Sequence, residues 1–279
     1  MLSPSEVRSK GALLKLGEVS DTIRHGCRTK LLMSPAMGSR LTGCEVVYHK
    51  PGETFTVRLH PISEVVIEVF KGKGEVFLGE FWYEVNEGDV IYAPENVKHG
   101  TRNPSSNSEE FICYYWQAPY LDEFDTLPGA RFELFEGQGG PVIACDIRGK
   151  FDARIPYTGY IGNVNSGALF MEHGAPMRFV VWPGMGARKI TLHRAFHPAG
   201  VEFKPHIHPT AEDTILAFQG RGQGFLVDRW YDMEEGDVLF APYPVKHGTR
   251  NPAGGSEGPF ICTGAAAPPQ IDLYRLAGY

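Results

Sequence analysis

Residues 77–103 read FLGEFWYEVNEGDVIYAPENVKHGTRN, and residues 225–251 read FLVDRWYDMEEGDVLFAPYPVKHGTRN. The second stretch repeats the first at an offset of 148 residues, and the offset holds outward. Aligned without gaps, Thr29–Asn103 and Met177–Asn251 share about 31 identities in 75 positions. Beyond the common Asn-Pro, one extra residue in the second copy restores Phe-Ile-Cys at Phe111–Cys113 and Phe260–Cys262. A period of this length far exceeds a solenoid repeat, so it marks a duplicated domain. The chain divides accordingly into residues 1–28 as an N-terminal extension, 29–124 as the first unit, 125–162 as a Gly- and Pro-rich connector, and 163–279 as the second unit.

Each copy reads as strands. Runs such as EVFLGEFWYEV and QGFLVDRWYDM are rich in β-branched and aromatic residues and end in Glu-Gly-Asp turns, after which VIYAP or VLFAP begins. Short strands at roughly ten-residue spacing indicate an all-β sandwich or barrel. Helices are expected only at Pro4–Leu16, Tyr120–Phe124 and Ile271–Ala277. The 279 residues suit two domains with substantial cores. The net charge of −6 comes without basic clusters, which argues against a nucleic-acid surface. No apolar run approaches the roughly 20 residues that span a bilayer, and Met1–Lys15 has no signal-peptide core. Five widely spaced cysteines form no CxxC pair, which disfavours a disulfide framework or a structural zinc site. A reducing, cytoplasmic compartment is the expectation.

The chemistry concentrates in the second copy: Gly200-VEFKP-His206-Ile-His208-PTA-Glu212, then Gly236-DVLFA-Pro242-YPVK-His247-GTR-Asn251. On a strand, His206 and His208 share one face. Pro209 cannot continue an interior ladder, so the chain turns there and returns Glu212 on the next strand. Three imidazoles and a carboxylate suit a divalent transition ion (Mn, Fe, Zn, Ni, Co or Cu). The two stretches closely resemble the paired motifs of the cupin superfamily, G(X)5HXH(X)3–4E(X)6G and G(X)5PXG(X)2H(X)3N. One extra residue precedes Gly220, and Pro244 replaces the usual Gly. With both copies counted, the resemblance covers most of residues 29–263. It implies two tandem double-stranded β-helix (jelly-roll) barrels, a bicupin, with one divalent metal ion in the C-terminal barrel on His206, His208, Glu212 and His247.

In the first copy the same places hold Arg58, His60, Glu64 and His99. A guanidinium cannot ligate a metal. This set reads as a second, weaker metal site, as an anion pocket gripped by Arg58, or as a decayed barrel in which Arg58 pairs with Glu64. The last is the expectation carried forward, with no tightly bound metal in this barrel. Trp82, Trp230, Phe55 and Phe203 read as core. Arg102 and Arg250 fall out of phase with the ligands and should lie outside in ion pairs. His49 and His197 recur outside the metal pocket. Lys204, two residues before His206, is a candidate catalytic residue that could share the inward face and hold a substrate carboxylate, set against the favoured reading of a solvated strand-end lysine.

The arrangement of an altered first barrel beside an intact second one resembles ureidoglycine aminohydrolases and bicupin isomerases and dioxygenases. The resemblance implies a metalloenzyme for a small oxygen-rich (hydroxy, keto or carboxylate) metabolite, acting by hydrolysis or isomerisation. A cupin dioxygenase and a non-catalytic small-molecule binder are the alternatives. The expected partners are a small-molecule substrate and a second copy of the chain in a homodimer, with no nucleic acid and no membrane.

Overall fold

The structure is a computed structural model and describes residues 2–120, 159–254, 258–270 and 274. The duplication emerges as two copies of one sheet topology. In the first unit a seven-stranded sheet runs in the order Tyr160–Asn163, Asp89–Ala93, Glu64–Lys71, Phe111–Ala118, Gly43–His49, Cys27–Met33, Thr22–Arg24. A four-stranded sheet of Thr54–Arg58, His99–Arg102, Lys73–Leu78 and Phe81–Asn86 accompanies it. The second unit repeats the order with Ala12–Leu14, Val238–Ala241, Glu212–Gln219, Phe260–Ala267, Thr191–His197, Ala175–Val181 and Ala168–Glu172. Its smaller sheet runs Glu202–His206, His247–Arg250, Gly222–Leu226, Arg229–Met233. Both units are thus jelly-roll barrels with the same strand order.

The first strand in each list comes from the other half of the repeat. Ala12–Leu14 pairs with Val238–Ala241 in the second barrel, and Tyr160–Asn163 pairs with Asp89–Ala93 in the first. The 148-residue offset therefore extends back to Gly11 and Gly159, both at φ +72. Each lies against the partner backbone: a Cβ would fall 2.5 Å from the Phe240 carbonyl oxygen or 2.4 Å from that of Tyr92. The stretches read from sequence as extension (1–28) and connector (125–162) each contribute a strand to a barrel. The N-terminal helix stops at Lys10 rather than Leu16 because Gly11 takes a left-handed φ there. Of the two other expected helices only Tyr120 and Tyr274 are described, the rest lying outside the described residues. Among the described residues no helix is long and apolar enough to cross a membrane.

Strand alternation decides what faces what. In Glu64–Lys71, Val65, Ile67 and Val69 fill the lumen of the first barrel. The other face looks at the second barrel: Val66 and Phe70 join a core cluster shared with Leu216, Phe218 and Phe260. Phe70 and its repeat mate Phe218 meet edge-to-face at 6.0 Å.

Two carboxylates fasten this junction reciprocally. Glu212 of the second barrel accepts the backbone N–H groups of Arg40 (2.5 Å), Leu41 (2.9 Å) and Thr42 (3.3 Å), and the Thr42 hydroxyl at 3.3 Å. Glu64 of the first accepts those of Arg188 (3.0 Å), Lys189 (2.8 Å) and Ile190 (3.2 Å). Every residue of one clamp is the 148-offset mate of a residue in the other. Both glutamates are buried, at 2% and 0% exposure. Truncation would leave three backbone donors unpaired, the one at Thr42 or Ile190 fully buried, as well as lose charge-assisted bonds. Glu212→Ala and Glu64→Ala should therefore each cost about 3 kcal/mol of unfolding free energy. Denaturant titration giving less than about 0.5 kcal/mol for both would contradict the clamp.

His49 and His197 also recur, and they act as structural residues. Each is fully buried and within 2.8 Å of a threonine hydroxyl, Thr101 or Thr249. Burial pushes both imidazoles down to about 4. The unfolded chain, with imidazoles near 6.5, then binds more protons than the folded one between these values. Stability from this source should be full above about pH 6.5 and decline as pH falls toward 4. Thermal unfolding of His49→Gln and His197→Gln should show a shallower acid slope over that window, and a slope equal to wild type would refute the assignment.

Candidate metal centre

The three second-copy histidines converge. His206 ends the strand Glu202–His206, His208 follows it, and His247 begins the paired strand, opposite His206 in the ladder. Their ligand atoms all lie within 4.8 Å of one another. The ring centroids are 4.6–4.9 Å apart. His206 Nδ1 donates to the Lys204 carbonyl and His247 Nδ1 to the Val245 carbonyl, each at 3.0 Å. A carbonyl only accepts, so the neutral rings present Nε2 lone pairs to the centre. Burial, with His247 close by, pushes His206 down to about 3, and burial takes His208 well below the usual histidine range. Neutral imidazole is the form a metal requires.

Glu212 does not join them. Its carboxylate is committed to the backbone of Arg40–Thr42, on the opposite face of its strand. The neighbouring residue takes the place expected of it: Asp213 Oδ2 lies 3.4 Å from His247 Nε2 and 4.0 Å from His208 Nε2. Burial would raise the Asp213 carboxyl, but the surrounding imidazoles of His247, His208 and His193 hold it at about 2. The family spacing of three or four residues between histidine and carboxylate admits either position, and strand alternation selects the second.

The donor set suits a cation. His206 Nε2 and His208 Nε2 face each other at 2.9 Å. Among the described residues, His247 Nε2 and Asp213 Oδ1 are buried without hydrogen-bond partners. Lone pairs and a carboxylate turned toward one point are satisfied together by one ion.

A cavity of about 220 Å³ opens beside this cluster, lined among others by His173, His193, Phe203, Asp213, Gly264 and Gln270. Sequence reasoning missed His173 and His193. His173 stacks on His206 at 4.6 Å and 14°, from a turn where it adopts φ +45. His193 Nε2 lies 3.0 Å from the Tyr274 hydroxyl. Gly264 leaves room next to the acid: a Cβ there would sit 3.2 Å from Asp213 Oδ1. Lys204 is exposed and does not line this cavity. A register shift between Phe203 and His206 breaks the alternation that would have turned it inward. Arg102 and Arg250 lie outside as expected, paired with Glu75 and Glu202 and packed over Trp82 at 4.2 Å and Trp230 at 4.0 Å.

The first barrel is built otherwise. Arg58 does not reach Glu64, which is clamped to the second barrel; it contacts Glu45 at 3.4 Å and His60 Nε2 at 3.3 Å. The expected Arg58–Glu64 pair is therefore replaced by Arg58–Glu45. Val65 stands where the second copy has Asp213. Tyr115 stands where it has Gly264, and its ring packs on Phe55 at 5.1 Å with its hydroxyl 2.6 Å from that of Thr101. His60 and His99 remain neighbours at 5.2 Å, but the lumen that would serve them is filled.

Comparison with known proteins agrees with this architecture. Residues 45–115 match the family described as Cupin domain. A 92-residue stretch, 33% of the chain, is 27% identical to Protein SchB of Streptomyces halstedii and covers 67% of it. Among solved structures, the oxalate decarboxylase formate complex of Lactobacillus farciminis aligns with a TM-score of 0.66 at 15% identity, over 92% of this chain and 86% of that one. The Ylba protein of E. coli aligns at 0.65 and 16% identity, over 92% and 90%. Oxalate decarboxylase of Bacillus subtilis aligns at 0.63 and 13%, over 91% and 75%. The first barrel thus carries a Cupin domain match over residues 45–115, and the whole chain has the bicupin fold of the solved structures it aligns with.

Proposed function

We propose that the C-terminal barrel holds one divalent transition metal ion on His206, His208 and His247, with Asp213 as the accompanying carboxylate, and acts on a small oxygen-rich metabolite. The observation that carries this reading is the convergence of three histidine side chains, their ligand atoms within 4.8 Å of one another, beside an open cavity. A bound ion would supply Lewis acidity toward a carbonyl or a bound water. The chain's own residues do the rest. Asp213 places a fixed negative charge against the histidines, His173 and Phe203 shape the mouth, and Gly264 keeps the floor open. The cavity is below the roughly 300–1,000 Å³ of pockets for drug-sized ligands, which favours a small metabolite. Hydrolysis or isomerisation is the reaction class we assign. Oxygen consumption on turnover would point instead to a dioxygenase, and absence of metal to a binding protein. The cytoplasm is the proposed compartment; the four described cysteines, Cys27, Cys44, Cys113 and Cys262, are all free thiols.

Elemental analysis of the purified protein should give about one divalent ion per chain. His206→Ala and His247→Ala should each reduce it toward zero. Arg58→His should leave it near one, because Val65 and Tyr115 still deny the first barrel a carboxylate and a lumen. Arg58→His, Val65→Asp and Tyr115→Gly combined should raise it toward two. Two ions per chain in the wild type would overturn this assignment, and none would overturn the metal reading itself.

We also propose a homodimer joined at sheet edges. Thr22–Arg24 and Ala168–Glu172 end the two large sheets, and the repeat mates Ile23 and Met171 are 74% and 68% exposed on them. Such edges are covered in stable proteins. Sedimentation at micromolar concentration should return twice the chain mass, and Ile23→Lys with Met171→Lys should return the single-chain mass. A wild-type monomer would contradict it.

A further inference from the structure

The two barrels offer one lumen with an aromatic ring in it and one without. In the first, Tyr115 is buried and sits in the ladder between Glu45 and Ile67. Its ring meets Phe55 edge-to-face at 5.1 Å and 64°, and its hydroxyl is 2.6 Å from that of Thr101. In the second, the matching place between His193 and Ile215 is held by Gly264. Both contacts of the missing ring are kept as repeat mates, Phe203 for Phe55 and Thr249 for Thr101. Gly264, Ile215, Phe203 and Thr249 all line the cavity of about 220 Å³. A Cβ on Gly264 would meet nothing closer than Asp213 Oδ1 at 3.2 Å.

The open space is thus bounded by the same groups that hold a phenol ring in the first barrel. It is large enough, since an apolar cavity of about 150 Å³ takes a benzene molecule. The floor beside Gly264 is apolar: Met177, Ala195 and Cys262 form the neighbouring row across three strands. Thr249 has bonding capacity left. Thr101 holds His49 at 2.8 Å and the Tyr115 hydroxyl at 2.6 Å. Thr249 holds His197 at 2.8 Å, and its other partner among the described residues is Cys262 Sγ at 3.5 Å, a weak one. His247 and Thr249 lie two residues apart on one strand face. The histidine cluster therefore begins about 7 Å along the strand from Thr249, close to the length of a substituted ring.

We propose that the substrate of the C-terminal barrel is a hydroxylated aromatic compound whose ring takes the place that Tyr115 fills in the first barrel. Its ring edge packs on Phe203 and its hydroxyl bonds Thr249 Oγ1. This names the substrate class of the site proposed above and rests on that reading for the chemistry, whereas the ring pocket itself needs no ion. The test titrates the full chain with para-cresol, the tyrosine side chain as a free molecule, and follows binding by NMR. Saturable binding of about one molecule per chain is expected in chelator-treated and zinc-loaded protein alike, with Overhauser effects to Phe203 and Thr249. 4-Fluorotoluene keeps the ring but cannot donate, and should bind about fivefold less tightly or worse. Gly264→Tyr supplies the ring from the chain itself and should abolish binding. Should that variant not fold, Thr249→Val replaces it, and the preference for para-cresol over 4-fluorotoluene should be lost. No saturable binding of para-cresol, a ring lodged away from Phe203 and Thr249, equal affinity for 4-fluorotoluene, or an effect in neither variant would overturn the proposal. Para-cresol binding by protein that elemental analysis finds incapable of holding metal would overturn the metal reading and leave the ring pocket standing.

Discussion

Two buried carboxylates, Glu64 and Glu212, each tied to three consecutive backbone N–H groups of the opposite barrel, set the terms for the rest of this molecule. Together with the exchanged strands Ala12–Leu14 and Tyr160–Asn163, they make the two halves mutually dependent. A charged carboxylate surrounded by amide donors is among the stronger neutral-backbone interactions available inside a protein. Once it is used this way, it is not available to a metal. On the proposed reading, the histidine cluster of the second barrel draws its carboxylate from the other strand face, one residue later, at Asp213.

The same constraint explains how the two barrels diverged. Both keep the clamp, the Thr-bonded histidines His49 and His197, and the stacked Arg–Trp pairs outside. They differ in the lumen. Replacing Asp213 by Val65 and Gly264 by Tyr115 removes a charge and fills the space, and Arg58 adds a cation where the second barrel has His206. None of these changes disturbs the face that meets the other barrel, because strand alternation separates the two sets of residues. One barrel could lose its cavity while the junction stayed intact.

Much of this was legible in the sequence. The ungapped repeat announced two like domains, and strand spacing with Gly-Asp turns announced their class. His206, His208 and His247 stood at spacings that bring imidazoles together. What escaped is instructive. Glu212 and Asp213 are adjacent acids on one strand, and a one-residue difference reverses the face. No pattern in the linear sequence told which face the barrel lumen would claim. The exchanged strands were hidden because identity fades before Thr29, although Gly11 and Gly159 keep the offset. Arg58 was placed correctly as a buried guanidinium, but its partner Glu45 lies on a strand brought near only by the fold. Regular alternation offers Lys204 an inward place beside His206, but the shift before His206 breaks it and leaves the lysine exposed at the strand end, the other reading open to it.

The central claim is that adjacent acids divide the work, Asp213 serving the metal cluster and Glu212 the clamp. Metal affinity of folded Asp213→Asn and Glu212→Gln proteins, measured by competition against a chelator with zinc as the probe, tests it most directly. The account predicts that Asp213→Asn weakens binding by about 10–100-fold while Glu212→Gln stays within about threefold of wild type. The reverse order, with Glu212→Gln the more damaging to affinity, would contradict it.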